Sequence, residues 1–164
     1  MTTVKLRPID EDLLPRILDV AVAGADPDEV MPAVPGPPGW TPERRAAFAD
    51  HHRSTPGTSY AIMTGEEIVG ATRLTPAEAP GAAEAGIWLT RSVRGQGHGV
   101  EALHLLIEEA RNQGNTALIV ETNAANPAAV AALRAMGAKL WEDPESGAVH
   151  ATLRVGDWIE HGTR

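Results

Sequence analysis

The stretch SVRGQGHGVEALHLLIEEA, Ser92 to Ala110, places Gly95, Gly97 and Gly99 directly after Arg94. An amphipathic run follows, with Val100, Leu103, Leu106, Ile107 and Ala110 on one side. That spacing predicts a helix ending in RNQGN, where Gly114 can take the left-handed cap. Three glycines at a helix start cost conformational entropy; in return they let something approach bare backbone closely. EAGIWLT, Glu84 to Thr90, reads as a strand leading into the turn. A strand running into a glycine-rich turn and a helix gathers free N–H groups at the positive helix end. Such a place is an anion site, with phosphate as its usual occupant.

Two familiar phosphate loops can be tested against it. The Gly-x4-Gly-Lys-Ser/Thr loop fails because no lysine follows these glycines. The dinucleotide pattern fails from Gly95, where the third position is Val100, and passes from Gly97 only in its Ala form, at Ala102. No parallel βαβ series surrounds it. What remains is Arg94-x-x-Gly97-x-Gly99 followed by a strand, an asparagine and a second helix.

Outward from this turn the chain reads as one domain of 164 residues. TVKLRPI (Thr3 to Ile9) alternates like a strand. Asp10 to Gly24 is expected as a helix capped by Asp10, with Leu13, Ile17, Val20 and Ala21 as its stripe. Ala25 to Trp40 carries five prolines in sixteen residues and reads as a loop rather than a helix. Thr41 and Pro42 open the next helix. Its Glu43-Arg44-Arg45 reads as a solvated first turn, and His51-His52 as a solvated helix end without partners at any metal spacing. Ser59 to Pro76 is a hairpin around Thr64-Gly65-Glu66. TALIVET (Thr116 to Thr122) is a buried strand. A short helix runs from Asn126-Pro127 to Gly137, and a last hairpin turns through Pro144 to Gly147. No cysteine is present, so no disulfide or thiolate chemistry is available. The net charge of −8 argues against nucleic acid as partner, and it either favours cationic small molecules or merely aids solubility. No stretch approaches 18 apolar residues and the N-terminus lacks a signal-peptide run, so no membrane and a cytoplasmic location are expected.

RGQGHG (Arg94 to Gly99), with EAGIWLTRSVRGQG before it and VETNAANPAAVAALRAMGA (Val120 to Ala138) after it, resembles the GNAT superfamily of N-acetyltransferases. The likeness is to the branch that acetylates ribosomal-protein N-termini and antibiotics. The resemblance implies an α/β (α+β) fold, with a mixed, mostly antiparallel sheet of six to seven strands flanked by about four helices. It implies acetyl-CoA as cosubstrate, its pyrophosphate at Arg94, Gly95, Gln96, Gly97, His98 and Gly99, with Asn126 opening the following helix. Pantetheine would pair with a splayed strand edge at Ile87, Trp88 and Leu89, where a backbone N–H could also serve the developing oxyanion. The alternative reading of the glycines is a tight strand-to-helix turn and nothing more.

Acetyl transfer to an amine needs a held thioester, a polarised carbonyl, a deprotonated ammonium and a reprotonated thiolate. The resemblance puts a base at Glu121, where a carboxylate in an apolar strand is expected to be partly desolvated and its pKa raised. The second candidate is Glu84, which shares a strand face with Gly86 and Trp88. Solvent-facing strand residues are the competing readings of both. Where relatives carry a tyrosine acid, this chain has Leu133.

The acceptor side, by the same resemblance, is the proline-rich segment. Asp26, Asp28 and Glu29 could meet ammonium groups there and Trp40 could stack on a sugar, or the acids could simply solubilise a loop. The segment resembles aminoglycoside acetyltransferases of the kasugamycin-modifying kind. A peptide N-terminal amine is the other acceptor, a non-catalytic acyl-CoA sensor is the other class, and a homodimer is left open.

Overall fold

The computed structural model describes residues 3–123 and 127–155. In chain order the elements are β1 (Val4–Pro8), α1 (Leu14–Gly24), α2 (Pro27–Val30), α3 (Pro42–Ser54), β2 (Thr58–Thr64), β3 (Glu67–Pro76) and β4 (Ala82–Leu89). A 3-10 turn (Arg91–Val93) then leads to α4 (His98–Asn112), β5 (Ala117–Asn123), α5 (Pro127–Ala135), β6 (Lys139–Glu142) and β7 (Ala148–Arg154). The seven strands form a mixed sheet in the order β1-β2-β3-β4-β5-β7-β6. β4 and β5 pair in parallel, while β1–β2, β5–β7 and β6–β7 are antiparallel. Contacts within the chain group it into two compact units.

The first unit comprises residues up to Arg73 together with Ile87–Ala102. Its core joins Leu13, Leu14, Ile17 and Ala21 to Met31, Phe48, Ala61, Met63, Ile68 and Ala71, with Trp40 and Trp88 packed against them. Each fully buried Leu or Ile there contributes about 1.5–3 kcal/mol of apolar burial. The stripe expected of α1 is present, but the helix begins at Leu14, later than its sequence suggested. Asp10 uses Oδ1 to accept the Leu13 N–H at 2.8 Å, fixing a turn ahead of the helix, and Pro15 falls in the first helical turn. Thr41 caps α3 as expected, accepting the Arg44 N–H.

Two expectations for this unit are corrected. The proline-rich segment contains a short helix, α2, because Glu29 Oε1 accepts the Asp26 N–H at 2.7 Å and closes its first turn. Arg44 is not a solvated side chain: it is 8% exposed. Its guanidinium donates to the carbonyls of Val34 (2.9 Å), Gly36 (3.2 Å), Gly39 (2.9 Å) and Pro37. A segment rich in proline has few N–H donors of its own, so its carbonyls need an outside donor, and the arginine fork supplies several at once.

The second unit comprises Leu74–Gly86 and the residues from Leu103 onward. β5 alternates in burial: Leu118 and Val120 are buried, Ile119 is half-buried and Glu121 is exposed. β7 matches it, with Val149, Ala151 and Leu153 buried and Thr152 exposed. α5 packs against β5 and buries Leu133, and Leu103, Leu106, Ile107 and Ala110 form the buried stripe of α4. The final hairpin closes as expected, with the Asp143 N–H donating to the Ala148 carbonyl at 2.8 Å.

Candidate active site

In the first unit, β4 ends against two glycines. A Cβ on Gly70 would collide with the Trp88 carbonyl oxygen, and one on Gly24 would lie 2.7 Å from Cβ of Thr90. Only glycine permits these approaches. The Thr90 N–H donates to the Val69 carbonyl at 2.9 Å and fixes the strand end. The register with β5 runs from Ala82↔Ala117 to Ala85↔Val120, and β4 continues past it through Ile87, Trp88 and Leu89, all half-buried. Trp88 packs on the α1–α3 core.

Beyond this strand lies the glycine turn. Gly95 and Gly97 have φ of +79° and +85°, a region that side-chain-bearing residues rarely adopt, and nothing lies within 4 Å of where a Cβ would stand on either. The Glu101 N–H bonds to the Gly97 carbonyl, making Gly97 the start of α4. The N–H groups of the first helical residues, His98, Gly99 and Val100, therefore have no partner within the helix. His98 Nδ1 is buried without a hydrogen-bond partner among the described residues. Arg94 donates through Nε to the Leu89 carbonyl at 3.0 Å, and Gln96 bonds back to Ser92. An open, left-handed turn with three helix-start donors and an adjacent guanidinium fits a diphosphate.

Of the three acids expected on the acceptor side, two are paired. Asp26 pairs with Arg91 at 2.6 Å and Glu29 with Arg94 at 3.0 Å, so the N-cap and the third residue of α2 hold one arginine of the 3-10 turn and the arginine that heads the glycine turn. Asp28 is exposed, with no ion pair among the described residues. Trp40 serves the interior: its Nε1–H donates to the Ala25 carbonyl at 2.9 Å and its ring meets Phe48 edge-on at 6.0 Å.

The candidate bases lie in the second unit. Glu84 stands opposite Ile119 on β5, and Glu121 follows two residues later on the same face. Their Cα atoms are about 8 Å apart by strand spacing and rise. Both are exposed and neither has an ion pair among the described residues, so the burial expected for Glu121 is not found. Glu121 faces His150 across the ladder to β7. Asn126 lies outside the described residues. Leu133, in the place of the tyrosine acid, is 3% exposed and belongs to the core. Sequence reasoning missed Arg44, Arg91, Gly24, Gly70 and the His150–Trp141 pair. The clustering of prolines after α1 was a readable signal that a donor would be needed, but nothing local named Arg44.

Residues 3–139 match the family model of the acetyltransferase (GNAT) domain, and the chain belongs to that family. Its class is therefore that of N-acetyltransferases. No curated protein matches the sequence. Solved structures share the fold. The GNAT domain of S. lividans PAT superposes with a TM-score of 0.70 at 21% identity, covering 92% of this chain and 90% of that one. A ribosomal L7/L12 alpha-N-protein acetyltransferase, RimL, solved with coenzyme A, reaches 0.68 at 22% identity over 94% and 95%. Mutant forms of the spermidine/spermine N-acetyltransferase SpeG from Vibrio cholerae reach 0.71 at 11% identity over 98% of each chain. No helix among the described residues is long and apolar enough to cross a membrane.

Proposed function

We propose that this chain is a cytoplasmic single-domain enzyme that transfers the acetyl group of acetyl-CoA to a primary amine of a small cationic acceptor, with aminoglycosides the first class to test. The observation that carries the cofactor half is the open turn at Gly95 and Gly97, with the free N–H groups of α4 and the Arg94 guanidinium beside it. Acetyl-CoA supplies an activated acyl group and a thiolate leaving group. The residues that would hold it are Arg94, Gly95, Gln96, Gly97, His98 and Gly99 at the diphosphate, Ile87, Trp88 and Leu89 along the strand, and Asn126 at the next helix.

Glu121 takes the proton from the ammonium so that the amine nitrogen can bond to the acyl carbon, and Glu84 is the second candidate. As the carbon–sulfur bond breaks, the nitrogen sheds its second proton to water and the leaving thiolate takes one up from water, since Leu133 offers none. Asp26, Asp28, Glu29 and Trp40 are the acceptor-side residues first read from the sequence. The pairing of Asp26 and Glu29 with arginines narrows their availability. That SpeG, a spermidine/spermine N-acetyltransferase by its name, shares the fold supports a polycationic acceptor on such a scaffold. The test is thiol release from acetyl-CoA with kanamycin, kasugamycin, spermidine and short peptides with free N-termini. Steady turnover is expected with a small cationic amine. A preference for peptides would replace the acceptor, and release with none of them would leave an acyl-CoA sensor.

A further inference from the structure

Trp141 on β6 is 60% exposed, the one large hydrophobic residue this open to solvent among the described residues. Its indole stacks on His150 of β7, with ring centroids 5.7 Å apart and planes 36° apart. Register extends the pair into a row across three strands: Trp141 faces His150, and His150 faces Glu121. Side chains directly opposite in a sheet point to the same face, so the indole, the imidazole and the carboxylate share one open surface, and Glu84 lies diagonally beyond Glu121 on it. At about 4.8 Å per strand, the indole stands roughly 10 Å from the carboxylate.

The exposed indole stacked on His150 offers a flat apolar surface of ring size with an N–H at its edge. Trp40 cannot play this part, because its N–H is bound to Ala25 and its ring is packed on Phe48. We propose, resting on the reading of Glu121 as the base, that Trp141 stacked on His150 is the acceptor platform. It takes the C–H face of an amino-sugar ring while a primary ammonium of the same molecule, about 10 Å away, reaches Glu121 and Glu84. Sugar rings present flat apolar C–H faces and suit an exposed indole, and the two carboxylates at the far end complement an ammonium. Trp141 is thus a specificity determinant and takes no part in the proton transfer.

The test is steady-state kinetics of Trp141→Ala and Trp141→Phe with kanamycin or kasugamycin, beside Glu121→Gln. Trp141→Ala should raise the acceptor KM about five- to tenfold, with kcat within twofold and the acetyl-CoA KM unchanged. Trp141→Phe should recover most of the loss, and the fluorescence change that the aminoglycoside produces in wild type should shrink in that variant. An unchanged acceptor KM in Trp141→Ala, while Glu121→Gln loses turnover, overturns the platform and leaves Glu121 as base. Full turnover in Glu121→Gln overturns the base, and the platform with it. A wild-type dimer in sedimentation that becomes monomeric in Trp141→Ala overturns the proposal by showing that a second copy covers this face.

Discussion

Two sets of carboxylates in this molecule stand in opposite electrostatic states. At the start of α2, Asp26 is bound to Arg91 of the 3-10 turn and Glu29 to Arg94 at the head of the glycine turn. On the open face of β4 and β5, Glu84 and Glu121 are exposed with no ion pair among the described residues. The first pair is balanced charge, and an ammonium arriving there competes with a guanidinium already in place. The second pair has no ion-pair partner among the described residues, on two neighbouring strands whose shared face also carries Lys139 and Arg154 further along the sheet. Acidity in the sequence is therefore no guide by itself to which carboxylates already have a partner.

The contrast predicts opposite consequences for isosteric amides on the two sides. Glu121→Gln should give the largest change. A lost general base typically costs at least about a hundredfold in turnover, and acetyl-CoA affinity should stay within twofold, since the residue lies on neither the turn nor the strand edge. Calorimetry and initial rates check both halves. If Glu84→Gln alone abolishes turnover, the order of the two bases is reversed.

Next in size is the scaffold that presents α2. Arg44→Met would strand four loop carbonyls without their donor, and an orphaned buried acceptor costs about 1–3 kcal/mol, relieved where the loop can reach water. A loss of roughly 2–3 kcal/mol in urea unfolding is expected. Wild-type stability would show that the proline-rich segment holds itself.

A smaller effect of the opposite sign should come from the paired side. Glu29→Gln frees Arg94 for a diphosphate while its amide oxygen still accepts the Asp26 N–H. An exposed ion pair contributes about 0–1 kcal/mol, so acetyl-CoA should bind up to about fivefold tighter. Weaker binding would mean that Glu29 positions Arg94 rather than competing for it.

The smallest effect is one of pH. The histidines at the end of α3, read as solvated, are half-buried, and His52 lies against Arg73, whose guanidinium donates to the carbonyls of His52 and Thr55. Burial first, and the Arg73 charge second, hold both His51 and His52 below the usual value of 6.5. The unfolded chain takes up protons near that value that the folded chain refuses, so their contribution is intact above it and declines as pH falls below it. Thermal melts from pH 8 to pH 5 should show a shallower decline in His52→Gln than in wild type. Parallel profiles would remove this site from the account.

Much of the glycine turn was legible because its determinants are local. Arg94 to Gly99 fixes a turn through glycine φ angles and helix-start donors, and the helix stripe after it follows from residues three and four apart. The surroundings of α2 depend on contacts between distant parts of the chain. Asp26 and Arg91 are 65 residues apart, and nothing near either one announces the pair. The apolar run of β5 suggested burial on both faces, yet only the face of Leu118 and Val120 is closed, which left Glu121 exposed. Arg44 was misread because a charge in a helix's first turn usually meets water, and here it meets the carbonyls of a segment with few donors of its own.

Calorimetric titration of acetyl-CoA into wild type and Gly97→Asp decides whether the turn from Arg94 to Gly99 holds its diphosphate. Aspartate at this position brings a side chain into the open space above the turn and a negative charge to an anion site. With circular dichroism confirming an unchanged fold, binding at least about tenfold weaker is expected. Equal affinity in the folded variant would mean that the diphosphate binds elsewhere.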